Sequence, residues 1–505
     1  MRRGAFRKGP DKRRKHMSFR TNYTVNKTPR FSLLSEDQKE RIYRGVIKTL
    51  NDTGADVHHE KVRELLANNR CKVDGKRVRI PPEVVRDALS SLPPTTTLYS
   101  WDGNEEMCYV ESAGRSYFGP GPTPPNFIDT DTMERRPYQR KDASIVARVC
   151  DVLPNIGYVQ SLGSIDDVTH ALSDVYEFAD MIQNTRKIIM NWAFNEDNMR
   201  DLHRIGIVMA GGEEAFKQRP NFIHYSEPIS PLTSDETAIG KCYYCAEHRI
   251  PQVYTPCAIG GATVPATHAG QIIVAMAESM VGVVVSQLLN PGTAIIIGGV
   301  QSILDMRRTI YSYGAPELGI MSAAFTEMLN YVGLPMYSTA GCTDTKKMEL
   351  QSGIEAAFSI HMAMMSGANF VHDNGYTESG ITGDVFQTVM DDEIIGMSRL
   401  ICGGVEVNEE TLAVDEICNV GPGGHYLYED HTMKWFRKHW QPTLMDRNSY
   451  EDWDAQGRLT MKDRIIKKTR DIIENYEGPI SRVPADAKKD IQKILDEAEE
   501  RVRSK

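Results

Sequence analysis

Five short segments in the middle of the chain gather the residue types that do chemistry. They are Met190-Asn-Trp192, His224-Tyr225-Ser226-Glu227-Pro228, Tyr254-Thr-Pro-Cys257, Tyr337-Ser-Thr-Ala-Gly-Cys342 and His372-Asp373-Asn374-Gly375. Between them they hold aromatic rings, two carboxylates, two imidazoles and two thiols. Three chemistries fit such a set. The first is a pocket for an organic cation. Aromatic faces attract a quaternary ammonium by about 0.5–2 kcal/mol each. Trp192, Tyr225, Tyr254 and Tyr337 are the candidate faces, with Glu227 as counter-charge; as single residues they fit a packed barrel layer equally well. The second is a metal site. Cys242-x-x-Cys245 has ligand spacing, but it lies in an expected helix with no second pair at the usual distance, so a buried, inert pair explains it better. The third is a nucleophilic thiol at Cys257 or Cys342, which needs a base or a helix N-terminus to form a thiolate.

Something must bring these segments to one place. From about Ser116, short β-rich runs alternate with long amphipathic helices. The runs are Tyr117–Gly119, Ile156–Gln160, Lys187–Trp192, Asn221–Glu227, Gln252–Cys257, Ala294–Gly298, Pro335–Thr339 and Asn369–Asp373. Helices are expected near 141–153, 171–185, 198–211, 234–249, 267–290, 315–332, 347–366 and 381–402. Eight such units predict an α/β fold, a (β/α)8 TIM barrel with right-handed crossovers. In that fold chemistry sits at the C-terminal strand ends, where the five segments fall. An open doubly wound sheet is disfavoured because G-x-G-x-x-G and Walker A turns are lacking. The expected organisation is a basic, disordered head (1–30), a helical N-terminal segment (31–115), the barrel (116–405) and a C-terminal extension packed on it (406–505). In the N-terminal segment, Ser35 caps a first helix, a second runs from about Lys61 to Ala67, Lys76–Ile80 is a strand and Pro81–Leu92 a third helix.

Composition excludes several classes. The 505 residues are 41% hydrophobic and 25% charged, which is ordinary globular usage and neither collagenous nor wholly disordered. The net charge of −9 hides an asymmetry. Residues 2–30 carry 11 Lys/Arg against Asp11 alone, leaving 48 bases against 67 acids elsewhere. An acidic body repels nucleic-acid phosphates. The head could be a nucleic-acid arm, a transit peptide or the product of a start upstream of Met17, and is read as disorder without a specific role. Nine cysteines, an odd number in a long chain without a signal peptide, point to a reducing, cytoplasmic setting. The apolar stretch Ile272–Leu289 contains Glu278 and Gln287 and reads as a buried barrel helix, not a membrane span.

Several segments, taken together and in order, resemble the trimethylamine methyltransferase superfamily. They are Ser226-Glu-Pro-Ile-Ser-Pro-Leu232, Pro265-Ala-Thr-His-Ala-Gly270, Leu304-Asp-Met-Arg-Arg308 with Tyr313-Gly-Ala-Pro-Glu317, Ala340-Gly-Cys-Thr-Asp-Thr-Lys346 with Gln351, and Gly421-Pro-Gly-Gly-His425 with His431-Thr432. The resemblance spans roughly residues 30–480. It implies a (β/α)8 barrel that moves a methyl group from a methylated amine to the cobalt of a corrinoid on a separate protein. The trimethylamine enzymes of this superfamily contain pyrrolysine, whereas this chain has only standard residues. Relatives without pyrrolysine resemble glycine betaine:corrinoid methyltransferases, which take quaternary amines. A quaternary ammonium leaves as a neutral tertiary amine, so the protein has only to position it and exclude water.

On that resemblance Glu227 and Asp373 are expected to stabilise the cation. Trp192, Tyr225, Tyr254, Tyr337 and Phe118 would form the cage, and His224, His372 and Arg308 would hold a substrate carboxylate. Arg308 fits a surface salt bridge as well, Asp373 an Asx-type turn, and Asp344 with Lys346 a buried pair. No metal and no tightly bound cofactor are expected. The corrinoid's lower-ligand pattern D-x-H-x-x-G starts at Asp56-Val-His58 but has Lys61 in place of Gly, so the corrinoid is expected on a partner protein. Neither nucleic acid nor membrane is expected as a partner, and a homo-oligomer is. The competing readings are another barrel methyltransferase, trimethylamine-like or zinc-dependent, and a barrel that binds quaternary amines without catalysis.

Overall fold

The computed structural model of the protein describes residues 31–101, 106–111 and 115–504, so the expected basic head lies outside the described residues. Seven parallel strands form the central sheet: β1 (Tyr117–Pro120), β2 (Ile189–Asn191), β3 (Phe222–Ser226), β4 (Gln252–Tyr254), β5 (Ile295–Gly298), β6 (Met336–Thr339) and β7 (Phe370–Asn374). They pair in the order β1-β7-β6-β5-β4-β3-β2. The segment 156–160 closes the gap between β1 and β2. Gly157 N donates to Phe118 O at 2.7 Å, Val159 N to Ile188 O at 3.0 Å, and Met190 N to Val159 O at 3.0 Å. Ile156 thus bridges Phe118 in parallel, and Val159 bridges Ile189. All eight expected runs lie in the barrel wall, the second through isolated bridges only.

The Lys187 ammonium, fully buried just before β2, fastens this closure. It donates to the carbonyls of Cys150 (2.5 Å), Leu153 (2.6 Å) and Ile156 (2.6 Å). Burial lowers its pKa to about 8, because a charged amine is penalised away from water.

The eight expected helices are present: α1 (Arg140–Val152), α2 (Ser173–Asn184), α3 (Glu196–Ala210), α4 (Glu236–His248), α5 (His268–Leu289), α6 (Pro316–Tyr331), α7 (Leu350–Ser366) and α8 (Val385–Gly403). α5 is long and apolar enough to cross a membrane, yet most of it is buried in the protein. Its one acid, Glu278, accepts from Leu232 N at 2.6 Å and Ser230 Oγ at 2.8 Å. Burial pushes that carboxyl up to about 7.

Strand alternation sorts the side chains into two cores. Tyr117, Tyr158, Met190, Ile223, Tyr225, Val253, Ile296, Tyr337 and Phe370 fill the barrel interior. Their sequence neighbours Phe118, Ile189, Phe222, Tyr254, Ile295, Ile297, Met336 and Val371 face the helices.

The N-terminal helices Glu36–Lys48 and Pro82–Ser90 lie against α5. Ser35 caps the first with a capping box, as its sequence requires. A three-residue strand, Ala55–Val57, pairs in parallel with Thr233–Ser234 after β3. Its antiparallel partner Arg77–Arg79 falls within the expected strand Lys76–Ile80, whereas Ala55–Val57 is a strand not expected from the sequence. At the other end, the helices Met461–Asn475 and Ala485–Arg503 pack on the barrel, the latter through a 2.6 Å Arg501–Asp201 ion pair. Between α8 and these helices the chain behaves differently: from residue 403 to 443 no residue is buried.

Candidate active site

Two small sheets stand on the barrel mouth. Beyond β4 and β5 the chain continues as Cys257–Gly260 and Val300–Asp305, paired in parallel, and a hairpin returns as Ile310–Tyr311. Opposite, Asn126–Ile128 and Arg135–Pro137 join Tyr376–Thr377 and Thr382–Gly383. These sheets turn the strand ends into a walled cavity.

Glu227 follows β3 directly. Its side chain is solvent-exposed, yet protein surrounds it, so the water it meets is that of the cavity. Burial pushes its carboxyl up to about 7, while a hydrogen bond from Tyr225 and the nearby His372 pull it back only in part. The second carboxyl, Asp373, sits at the end of β7 with φ 73°, left-handed backbone that Asp tolerates better than most residues. One oxygen binds His372 Nδ1 at 2.6 Å, and the other, Oδ2, is buried without a partner. His372 Nε2 meets Thr339 Oγ1 at 2.9 Å, and its ring stacks on Tyr337 at 4.2 Å and 10°. Tyr225 packs 5.6 Å from Tyr337, which donates to Gln160 Oε1 at 3.2 Å.

A second set of rings faces them. Tyr311 lies 5.5 Å from Tyr313, edge to face, and Tyr313 lies 6.2 Å from Tyr376. Tyr311 donates to Val300 O at 2.9 Å. Asp344 anchors this wall, accepting from Tyr313 N at 2.7 Å and Ser379 Oγ at 2.8 Å. Tyr225, Tyr313, Tyr337 and Tyr376 all feel the charge of Asp373, and Tyr225, Tyr311 and Tyr376 that of Glu227. Five phenols and two carboxyls therefore share one space. Burial raises every one of these phenol pKa values, so the rings stay neutral. Only glycine fits at position 121: a Cβ there would lie 2.2 Å from the Tyr376 ring and 2.3 Å from Asp373 Oδ1.

The structure thus brings Glu227, Asp373, Tyr225, Tyr337 and His372 together. Trp192 packs against the same interior core at the end of β2, its indole N–H held by Glu177 at 3.0 Å. Four expected site residues lie elsewhere. Phe118 and Tyr254 face the helices by strand alternation; Tyr254 bonds Ser234 Oγ at 3.0 Å and lies so close to α5 that a Cβ on Gly282 would sit 2.4 Å from its ring. His224, between inward-facing Ile223 and Tyr225, also points outward, with Nε2 2.9 Å from Ser226 Oγ. Burial drives its pKa well below the usual imidazole value, so it carries no positive charge for a carboxylate. Arg308 is 71% exposed on the hairpin turn and pairs with Asp305 at 3.3 Å. It borders a separate rim cleft of about 490 Å³ shared with Asp344 and Lys346. Lys346 is exposed and donates to the Asp344 backbone carbonyl at 2.7 Å, so these two do not form the expected buried pair.

The other two chemistries lose ground. Cys242 and Cys245 are buried in the helix layer with their thiols pushed above the ordinary range. Among the described residues no cluster of three or more His, Cys, Asp or Glu is placed to hold a metal ion. Cys257 and Cys342 are likewise raised, first by burial and then by neighbouring carboxylates, which disfavours the thiolate. Tyr311, Tyr313 and Tyr376 are cavity residues that sequence reasoning missed. The available signal was the alternation Tyr311-Ser-Tyr313, which puts two rings on one face of an extended segment.

Comparison with known proteins shows the family. The family model for trimethylamine methyltransferase (MTTB) matches residues 2–502. The chain belongs to the trimethylamine methyltransferase family. As a member it is a methyltransferase, 30% identical to the glycine betaine methyltransferase of Desulfitobacterium hafniense over 91% of this chain and 96% of that one. It is 29% identical to the trimethylamine methyltransferase MttB of the same species, over 88% of this chain and 89% of that protein. The MttB of Methanosarcina barkeri is 29% identical over 94% of this chain and 96% of its own. The solved structure of the Methanosarcina barkeri monomethylamine methyltransferase (MtmB) matches with a TM-score of 0.50 at 13% identity, covering 88% of each chain. That likeness supports the barrel fold of this family member.

Proposed function

We propose that the protein demethylates a quaternary amine of the glycine betaine type and passes the methyl group to the corrinoid of a separate protein. The tyrosine-walled cavity with its two carboxyls carries this reading. Tyr225, Tyr337, Tyr311, Tyr313 and Tyr376 offer ring faces to a trimethylammonium head. Glu227 and the free Oδ2 of Asp373 supply negative charge that needs no hydrogen-bond donor from the ligand. A quaternary ammonium, which has none, suits both. The standard-residue composition fits the same substrate class.

The chain's own residues bind, orient and exclude water. His372, gripped between Asp373 and Thr339, fixes the Asp373 carboxyl, and the stacked Tyr337 ring holds His372 in turn. A cation so placed keeps one N-methyl directed towards the open mouth, where Glu227 meets solvent. The Co(I) corrinoid of the partner acts as a co-substrate that takes the methyl group as a cation, while the C–N bonding pair stays on the departing tertiary amine. Neither acid nor base is needed for that exchange. The partner is a separate protein because His58, the one candidate for a lower ligand of corrinoid pattern, is followed by Lys61 and lies beside the strand Ala55–Val57, hydrogen-bonded through its backbone to Ser234.

The test is a panel of glycine betaine, proline betaine, carnitine, butyrobetaine and trimethylamine, incubated with the protein and a reduced corrinoid protein. Loss of the Co(I) absorbance with a betaine, and one tertiary amine formed per methyl moved, is expected. Turnover of trimethylamine alone would reject the substrate class; binding of a betaine without turnover would leave only a binding protein.

A further inference from the structure

The two small sheets over the barrel mouth are tied to one another by a single carboxylate. Asp344 lies half-buried in the loop between β6 and α7. Its Oδ1 accepts from Tyr313 N at 2.7 Å and from Ser379 Oγ at 2.8 Å, and its Oδ2 accepts from Ser312 Oγ. Ser312 and Tyr313 follow the hairpin strand Ile310–Tyr311, and Ser379 lies in the turn between Tyr376–Thr377 and Thr382–Gly383. One acceptor atom thus holds a donor from each sheet. Hydrogen bonds to an ionised acceptor are about twice as strong as neutral ones.

The loop that carries Asp344 is itself held. Glu355 of α7 accepts from Asp344 N at 3.0 Å and from Thr343 Oγ1. Gln351, one turn earlier, donates to the other oxygen of Glu355 at 2.6 Å. Gly314 leaves room for this carboxyl where the hairpin returns: a Cβ there would lie 2.4 Å from Glu355 Cδ. Thr343 also bonds the second sheet through its backbone, donating to Tyr376 O at 3.0 Å and accepting from Ser379 N at 3.1 Å. The turn on that side is strained. Glu378 and Ser379 are consecutive non-glycine residues with φ 55° and 56°. Such backbone is rare for residues with side chains and persists only where the surroundings over-determine it. The two bonds from Ser379 to residues 343 and 344, and those of the Glu378 carboxylate with Arg135 and Thr382, supply that constraint.

We infer that Asp344 sets the width of the cavity mouth, and with it the largest ammonium head that the cavity admits. It is a positioning residue. It acts through Tyr313 and Tyr376, whose ring centroids lie 6.2 Å apart across the junction that it ties. The inference rests on the proposed function, since it takes the cavity as an ammonium site.

Two readouts on the full chain test this. The first needs no ligand. In Asp344→Ala, amide hydrogen exchange in 311–314 and in 377–380 should quicken at least about tenfold, while β3 and β7 stay as protected as in the wild type. The second is the ratio of the tetraethylammonium to the tetramethylammonium dissociation constant, from calorimetry. A fixed mouth favours the smaller cation. In Asp344→Ala the ratio should fall at least about tenfold, the discrimination that a methylene or two commands in a tight pocket. A general loss of stability would scale both constants alike and leave the ratio where it was. Asp344→Asn, with the same shape and one acceptor oxygen left, should recover part of both effects. Ser379→Ala, which frees the turn alone, should quicken 377–380 but not 311–314, and it carries the test if Asp344→Ala loosens the barrel. Unchanged exchange in both segments, or faster exchange with an unchanged ratio, would overturn the inference and leave the quaternary-amine reading standing. A wild type that binds neither cation would instead reject that reading, and the role given to Asp344 with it.

Discussion

Removing the Glu227 charge tests the cavity most directly. A cation about 5 Å from a carboxylate gains about 3 kcal/mol at an effective dielectric near 20. Cavity water screens part of this, leaving about 2 kcal/mol, or roughly 30-fold in Kd. Glu227→Gln should therefore bind tetramethylammonium roughly 30-fold more weakly. The wild type carries a second signature. Its free carboxyl titrates at about 7, and the ionised form binds the cation. Affinity should rise with pH through that value and level off above it. With a 30-fold preference for the ionised form, Kd at pH 6 should exceed that at pH 8 by about sevenfold. Below pH 7, binding should release a proton, visible when calorimetry is repeated in buffers of different ionisation enthalpy. In Glu227→Gln both effects vanish. A wild-type Kd that stays flat from pH 6 to 8.5, or a Gln variant that binds as tightly, would refute the role given to Glu227.

Three further outcomes follow from the same geometry. Tyr311→Ala and Tyr376→Ala should each weaken betaine binding about 5- to 30-fold, as loss of a ring face does, whereas Tyr254→Phe, changed on the helix side, should leave calorimetric affinity unaltered. Lys187→Met removes the shared donor of three buried carbonyls and should cost about 3–5 kcal/mol in urea unfolding. His203 is buried with its pKa lowered to about 4 by burial; an unfolded His takes its proton near 6.5, so stability should be intact above that value, fall as pH drops through 6.5 and flatten below about 4, by about 3 kcal/mol in all, and His203→Gln should abolish that part of the acid slope.

The barrel was legible because its periodicity is strong. Eight β-rich runs and eight amphipathic stretches could be read off the chain, and even 156–160, which is held by isolated bridges, sat in the right place. The cavity was half legible. Residues at strand ends could be found, but the face of each strand could not be weighed until neighbours were compared. Val253 faces inward, so Tyr254 cannot; Ile223 and Tyr225 face inward, so His224 cannot. Tyr311, Tyr313 and Tyr376 stayed hidden for another reason. They ride on strands of two residues or beside them, too short for any pattern, and only the fold brings them over the mouth.

The rings of the proposed cage are carried by two different structures. Tyr225, Tyr337 and His372 belong to the closed barrel, where each side chain is locked by neighbours in register. Tyr311 and Tyr313 belong to a hairpin that overhangs it and touches the barrel mainly through its own continuing strands. Under the proposed function, the rigid half sets where a cation sits, and the overhanging half sets how much room the rest of the molecule has. Changes in 305–313 can thus alter which amine fits without disturbing a single barrel hydrogen bond, so that substrate range and fold stability vary independently in this architecture.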